Sequence, residues 1–162
     1  MSPRAACQLE AMGFNDVYDF ADGKIEWMVK GFPVEGNGPH FAMAGEVATK
    51  DGVHTCVLGS MVTESAREMK ERGESFCLVL NSEDVVLGRL RKNQLDPDSD
   101  ALVETVMELG PTTVRPIEPA KPLLERMEKH NVPAIVVTTK KGQLVGVARR
   151  EDLRRLVHLR SS

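Results

Sequence analysis

The chain has 162 residues, enough for one domain or two small ones with a substantial hydrophobic core. A formal charge of −3, with 28% charged and 41% hydrophobic residues, is ordinary for a globular protein and argues against a strongly basic nucleic-acid-binding surface. No apolar run approaches the roughly 20 residues of a membrane-spanning helix, and the first residues lack the apolar stretch of a signal peptide. We therefore expect a cytoplasmic protein with no membrane contact.

The three cysteines, Cys7, Cys56 and Cys77, are widely spaced and form no C-x-x-C motif. An odd number without regular spacing argues against a disulfide framework and is typical of reduced thiols. His54 and Cys56 alternate along one predicted strand, but no second pair of ligands stands at zinc spacing. No metal site is predicted.

Residues 1–40 are predicted to form a short helical segment of their own. The apolar pattern indicates a helix from Arg4 to Met12 that ends at Gly13, then a short strand at 17–18 and a second helix at 23–29.

Part of this segment is similar to the last third of a rhodanese domain, over about 33 residues. The residues that carry the similarity are Leu9, Met12, Gly13, Phe14, Val17, Tyr18, Gly23, Trp27, Gly31 and Pro33. The resemblance implies a truncated rhodanese-like remnant that packs on the rest of the chain. The loop that holds the nucleophilic cysteine of rhodaneses would lie before Met1, and Cys7 falls inside the helix, away from the N–H groups that lower a thiol pKa. We expect no sulfur transfer.

The rest of the chain contains the same unit twice, because residues 46–95 align with 104–153 without a gap at an offset of 58. Coinciding identities include Glu46 with Glu104, Gly52 with Gly110, Met69 with Met127, Gly88 with Gly146 and Leu95 with Leu153. Self-similarity at a fixed period indicates two copies of one supersecondary unit. Such copies bury their faces against each other, and the cleft between them is the expected ligand site.

Apolar periodicity and turn residues give both copies the order strand, helix, strand, strand, helix. In the first copy the predicted elements are strand 53–57, helix 61–72, strands 76–80 and 84–90, and a short helix 91–95. A polar linker, residues 96–100, follows. In the second copy they are strand 113–115, helix 119–129, strands 134–138 and 144–148, and helix 150–159.

Two tandem units of this kind resemble a pair of CBS domains, the Bateman module. The best local matches are Val106-Met107, the Thr-x-x-Pro of 113–116, and the run from Gly146 to Leu153. The resemblance implies an α/β fold of two β-α-β-β-α CBS-type units in a pseudo-twofold pair, with a short helical amino-terminal appendage. The implied domains are the rhodanese-like remnant at 1–40 and CBS domains at 42–99 and 100–160.

The resemblance also implies a ligand site, since CBS pairs commonly hold AMP, ATP or S-adenosylmethionine in the clefts between their repeats. Apolar strand residues sandwich the adenine, a first-strand Thr makes polar contacts, and an Asp at the start of the last helix accepts from the ribose. Carried over to this chain, the ligand-binding residues are Thr113, Arg115, Pro133, Ala134, Arg149 and Asp152, with Thr55 and Arg91 in the first copy.

Two positions depart from the family pattern. Arg149 and Arg91 stand where a Ser or Thr contacts phosphate, and Gln94 stands where the first copy would need its ribose-binding acid. Either the guanidinium groups bind phosphate bidentately, or they are solvated residues at the mouth of a degenerate site. Asp152 either binds ribose or complements the dipole of its helix.

The resemblance therefore implies a non-enzymatic regulatory module that binds an adenosine-containing ligand, forms a homodimer and acts on an unidentified effector protein. The alternative is a structural or protein-interaction module with degenerate sites. No nucleophile motif or phosphate-binding loop is present, so no catalytic residue is predicted. The arginines of the closing helix (149, 150, 154, 155 and 160) are interpreted as a solvated face rather than a nucleic-acid site. Met61, Met69, Met107 and Met127 could serve either the dimer or the core.

Overall fold

The computed structural model describes residues 3–17, 27, 42–96 and 99–160. The chain divides into two compact units, residues 1–40 and 41–162. In the first unit, helix α1 (Pro3–Ala11) ends before Gly13, whose φ of +94° favours glycine. The strand predicted at 17–18 and the helix predicted at 23–29 lie almost wholly outside the described residues.

The first repeat of the larger unit forms a four-stranded sheet covered by a helix. Strand β1 (His54–Val57) leads through helix α2 (Val62–Arg72) to strands β2 (Phe76–Leu80) and β3 (Val86–Arg91). Helix α3 (Val103–Val106) and strand β4 (Glu108–Leu109) complete this layer. The strand order is β1-β2-β3-β4, with β1 parallel to β2 and the other neighbours antiparallel.

The second repeat builds the same arrangement with three strands. Its elements are β5 (Thr113–Val114), α4 (Ala120–Lys129), β6 (Ala134–Thr138), β7 (Leu144–Arg149) and α5 (Arg150–Arg160). Strand β5 is parallel to β6, and β6 is antiparallel to β7. The predicted order of elements is confirmed, and the α/β fold consists of two such units related by a pseudo-twofold.

The repeats differ at their closing helix. The second repeat ends in the 11-residue α5, whereas the short helix predicted at 91–95 is a single 3-10 turn at Lys92–Gln94. After Leu95 the sequence becomes polar and contains Pro97, so no apolar face exists on which a longer helix could pack.

Three groups of buried residues form the core of the larger unit. One lies under the helices of the second repeat, one under α2 of the first repeat, and one between the two sheets. The last group includes Leu78, Leu80, Val136, Leu144 and Val147. Met69 and Met127 are almost fully buried, so they pack in the core rather than in a surface contact.

In the described part of the chain no helix is long and apolar enough to cross a membrane.

Each repeat is preceded by a leader that packs on the other repeat. Leader 1 (residues 42–49) lies on the second repeat, where Met43 pairs with Pro119 and Thr49 pairs with Val147. Ala44 of this leader is fully buried in the core of the second repeat.

Leader 2 (residues 101–109) lies in the same way on the first repeat. Leu102 pairs with Met61, and Val103 is fully buried in the core of the first repeat. Glu108 pairs with Arg89. The leaders are therefore exchanged between the repeats.

The exchange corrects one detail of the ungapped alignment. The N–H of Ala44 donates to the carbonyl of Glu118 (2.9 Å), and the N–H of Val103 donates to the carbonyl of Ser60 (3.0 Å). These matched contacts give the leaders an offset of 59, while the repeats keep 58. Glu46 and Glu104 are therefore not structurally equivalent, because the first copy has one extra residue between its leader and β1.

Candidate functional site

A cleft of about 1080 Å³ opens between the two repeats of the larger unit. The first repeat contributes residues around the starts of β1 and β2 and the end of β3. The second repeat contributes the approach to β6, residues 130–136, and the junction of β7 with α5, residues 147–152. The cleft therefore has two ends, one for each repeat.

The end formed by the second repeat is shaped by an abrupt change from helix to strand. Asn131 adopts φ +50°, a left-handed conformation that Asn tolerates, and Pro133 prevents any continuation of α4. The N–H of Arg150 donates to the carbonyl of Pro133 (2.9 Å), and Ala134 lies opposite Arg149 in the sheet. These contacts bring Asp152, in the first turn of α5, into the same cleft lining as Pro133 and Ala134.

The Asp152 carboxylate is available for further hydrogen bonds. Its side chain is 33% exposed, and its hydrogen-bond partner among the described residues is the Arg155 guanidinium at 3.5 Å, at the upper limit for a hydrogen bond. A carboxylate has about four acceptor positions, so most of its capacity is open to a ligand.

Arg149 and Arg150 line the same cleft and are held by neutral acceptors. Nη2 of Arg149 donates to the backbone carbonyls of Asp51 and Gly52, each at 3.2 Å. Nη1 of Arg150 donates to Oδ1 of Asn131 at 3.0 Å. Among the described residues neither guanidinium has an ion pair with a carboxylate, so their positive charge is not compensated locally.

The end formed by the first repeat is electrostatically different. One carboxylate oxygen of Glu108, Oε2, accepts from Nη2 of Arg89 at 2.8 Å and from Nε of Arg91 at 3.0 Å. Hydrogen bonds from Arg89 and then Arg91 lower the pKa of Glu108, so this carboxylate is ionised at neutral pH. One of the two positive charges at this end is therefore offset by an internal anion.

The lining as a whole carries more positive than negative charge, although the whole chain is acidic. The arginines that line it are Arg89, Arg91, Arg126, Arg149 and Arg150, and the carboxylates are Glu74, Glu151 and Asp152. Of these arginines, Arg126 is paired with Glu118 outside the lining (3.2 Å). A water-accessible cleft with excess guanidinium groups favours anionic ligands.

Five of the eight predicted site residues lie in this cleft: Arg91, Pro133, Ala134, Arg149 and Asp152. The structure places the other three, Thr113, Arg115 and Thr55, outside the lining residues. Thr113 is exposed and its neighbour Thr112 lines the cleft instead. Arg115 bonds Thr138 and the carbonyl of Thr139, which lie at the far end of β6. Thr55 is exposed and pairs with Leu78 in the sheet.

Sequence reasoning missed Thr112, Arg89 and Arg150 as lining residues. Thr112 and Thr113 are the same residue type, and nothing local distinguishes the one that faces the cleft. Arg89 and Arg91 are two residues apart on β3, so their side chains lie on the same face of the strand. This period of two was the signal that could have placed Arg89 in the lining.

His54 and Cys56, interpreted from the sequence as strand residues, both lie on β1. His54 is 3% exposed, with Nε2 3.3 Å from Oε2 of Glu68. The neighbouring Cys56 thiol, together with burial, raises the pKa of Cys77, whose Sγ donates to the carbonyl of Leu78 at 3.6 Å. No group of potential metal ligands was found among the described residues.

The remaining arginines of the closing helix are engaged in contacts within the chain. Arg154 pairs with Glu128 (2.6 Å), and Arg160 pairs with Glu46 of leader 1 (2.8 Å). These pairs support the interpretation of a solvated, internally paired face.

Comparison with known proteins agrees with this architecture. The family model described as CBS domain matches residues 103–159. A curated relative, homoserine O-acetyltransferase of Methanococcoides burtonii, is 24% identical over 153 residues, which cover 93% of this chain and 30% of that enzyme. The chain thus spans less than a third of the length of this relative.

Solved structures with similar folds include several CBS domain pairs. A CBS domain pair/ACT domain protein from Thermotoga maritima has a TM-score of 0.63 at 20% identity, with 75% of this chain and 100% of that one covered. The structure of CBSX2 in complex with AMP has a TM-score of 0.63 at 14% identity, with 74% of this chain and 98% of that one covered. The CBS domain pair of protein MJ0100 in complex with 5′-methylthioadenosine and S-adenosyl-L-methionine has a TM-score of 0.58 at 16% identity, with 73% of this chain and 97% of that one covered.

The fold is therefore that of a tandem CBS domain pair. The assignment of 1–40 to a rhodanese-like remnant, and the boundaries of the two CBS domains at 42–99 and 100–160, stay predictions.

Proposed function

We propose that this chain is a non-enzymatic regulatory module that binds an adenine nucleotide at the second-repeat end of the cleft. The observation that carries the proposal is that this end of the cleft is lined both by an open carboxylate, Asp152, and by two guanidinium groups, Arg149 and Arg150, that have no anionic partner among the described residues. The similar folds that hold AMP or S-adenosylmethionine support it.

The nucleoside would be held by chemistry already present in the lining. Ribose hydroxyls would donate to the Asp152 carboxylate, because a charged acceptor makes the stronger hydrogen bond. The adenine would pack on apolar lining residues such as Val53 and Ile135. A purine face buried against aliphatic side chains gains from the removal of apolar surface from water.

The guanidinium groups favour a phosphorylated ligand over S-adenosylmethionine. Arg149 has donors left after its two carbonyl contacts, and α5 begins at Arg150, so its positive dipole end also faces this position. Phosphate would gain charge-assisted hydrogen bonds there, whereas a sulfonium cation would be repelled. AMP and ATP are therefore the favoured effectors.

The output of such a module passes to another protein, and we include a homodimer and an effector protein in the proposal. The relative from M. burtonii is described as an acetyltransferase and is much longer than this chain. A nucleotide signal acting on a biosynthetic enzyme is one form that this output could take.

Thermal unfolding with AMP, ADP, ATP, S-adenosylmethionine and NAD tests the proposal. A ligand at 100 times its dissociation constant adds about 2.7 kcal/mol to the native state. For a chain of this size the midpoint should rise by roughly 5–10 °C. We expect AMP or ATP to raise it and S-adenosylmethionine to have a smaller effect; no shift with any nucleotide would contradict the proposal.

A second candidate, a protein-interaction module, is favoured by one surface of the first repeat. Exposed apolar side chains gather where leader 2 meets the turn before α2: Val57, Leu58, Met61, Leu102 and Val106. Contiguous exposed apolar residues are typical of contact surfaces. The absence of any ligand shift, together with a concentration-dependent mass in sedimentation, would favour this function.

A further inference from the structure

The two ends of the cleft have equivalent arginines but different neighbours. Arg91 lies opposite Phe76, as Arg149 lies opposite Ala134, so both arginines hold the same place in their repeats. Glu108 of leader 2 pairs with Arg89, and Thr49 of leader 1 pairs with Val147, so these two leader residues hold equivalent positions beside the two arginines. A carboxylate thus lies on the first repeat where a neutral hydroxyl lies on the second, and the first repeat has Arg89 where the second has Val147.

The carboxylate is bound as an anionic ligand would be. Glu108 Oε2 lies 3.0 Å from Nε of Arg91 and accepts two bonds from Arg89, from Nη2 at 2.8 Å and Nε at 3.2 Å. Three charge-assisted hydrogen bonds converge on a single oxygen. Thr49 makes no such bond to Arg149, whose acceptors are the backbone carbonyls of residues 51 and 52.

We propose that Glu108 is a built-in counter-ion that closes the first-repeat end of the cleft to anions, leaving one anion position per chain, at Arg149. This inference rests on the proposed function for its biological meaning, since it concerns the same cleft. A phosphate that approaches Arg91 meets an ionised carboxylate and must either displace it or remain beside a like charge. A phosphate that approaches Arg149 meets a guanidinium to which no carboxylate of the described residues is bonded.

The residue at the helix-start position agrees with this division. Gln94 occupies the place that Asp152 holds in the second repeat, so the first repeat has no acid for a ribose there. Opening this end should therefore admit a simple phosphate anion more readily than a complete nucleotide, and the probe must be chosen accordingly.

Equilibrium dialysis with inorganic pyrophosphate counts anion positions without requiring a ribose contact. We expect one equivalent per chain for the unaltered protein and two for Glu108→Gln, which keeps the shape of the side chain and removes its charge. Glu108→Thr, which copies the leader of the second repeat, should also give two. Glu128→Gln is the matched control, because it frees Arg154, an arginine outside the lining residues of the cleft, and should leave the count at one.

Adding Arg91→Ala to the Glu108→Gln protein should return the count to one and locate the new position. Two equivalents in the unaltered protein, one in both Glu108 variants, or none in any of them would overturn the inference. AMP binding is measured in parallel: a count that rises from one to two without any AMP binding would support the counter-ion and contradict the nucleotide function.

Discussion

Asp152 is the residue on which nucleoside recognition depends, and its environment separates two roles. An acid in the first turn of α5 complements the helix dipole whether or not a ligand binds. Its weak 3.5 Å contact with Arg155 leaves the carboxylate free to accept from a ribose. The two roles predict different consequences of substitution.

We expect Asp152→Ala to weaken AMP binding about tenfold or more, because a charged hydrogen bond is worth about 1.5–3 kcal/mol. Asp152→Asn should lose less, since it keeps one acceptor oxygen. Calorimetric titration of the folded variants gives both values, with Glu125→Ala on the exposed face of α4 as the control. Unchanged affinity in the alanine variant would leave Asp152 with the dipole role alone.

The sequence predicts which residues line the cleft where their place in a motif determines their position. It does not predict them where the direction of the side chain decides. Asp152 and Arg149 follow Gly146 at set distances, and the structure brings both to the cleft. Thr113 lies on a strand of two residues and Arg115 directly follows it, and such a strand is too short for its alternation to be read. The sequence did not indicate the counter-ion Glu108, because Glu108 belongs to leader 2 and its partners Arg89 and Arg91 are 19 and 17 residues away.

At the scale of the elements, the packing of the two leaders depends on Gly88 and Gly146, which coincide in the repeat alignment. A side chain at Gly146 would place its Cβ 2.7 Å from the backbone of Thr49, where leader 1 crosses β7. At Gly88 it would meet Met107 and the carbonyl of Glu108, where leader 2 crosses β3. Glycine is required here by close approach of the backbone rather than by a left-handed conformation.

Gly146→Ala should destabilise the protein by about 1–3 kcal/mol, the usual cost of forcing an extra carbon into a packed region. Denaturant unfolding measures the change. Gly73→Ala serves as a comparison, because Gly73 has open space around it and a φ of +70°, so its cost comes from the backbone alone. A loss below about 0.5 kcal/mol for Gly146→Ala would mean that leader 1 moves aside easily.

The elements also show how far local sequence determines structure. The continuous apolar runs 76–80 and 134–138 became strands with the predicted bounds, because a buried central strand needs apolar residues on both faces. Strand 84–90 begins only at Val86, after Asp84 takes a turn conformation with φ +60°. The leader exchange has no local signal, and the one-residue difference in offset hides it from an ungapped alignment.

Across the whole molecule, the exchange predicts a counterintuitive effect of truncation. Removing residues 1–49 deletes a segment next to the first repeat, yet Ala44 and its neighbours belong to the core of the second. Hydrogen exchange should therefore quicken in β6 and β7 more than in β2. A chain that lacks only 1–40 keeps leader 1 and is the control; faster exchange confined to the first repeat would contradict the exchanged arrangement.

Leader exchange also changes what holds the two repeats together. A chain with one repeat would carry a leader with no surface of its own to cover and a core with no leader over it, and two such chains would complete each other only by association. Joining the copies through the short segment between Leu95 and Ala101 makes that association intramolecular. Each repeat then has its complement at a fixed effective concentration, and the assembly of the cleft no longer depends on how much protein is present.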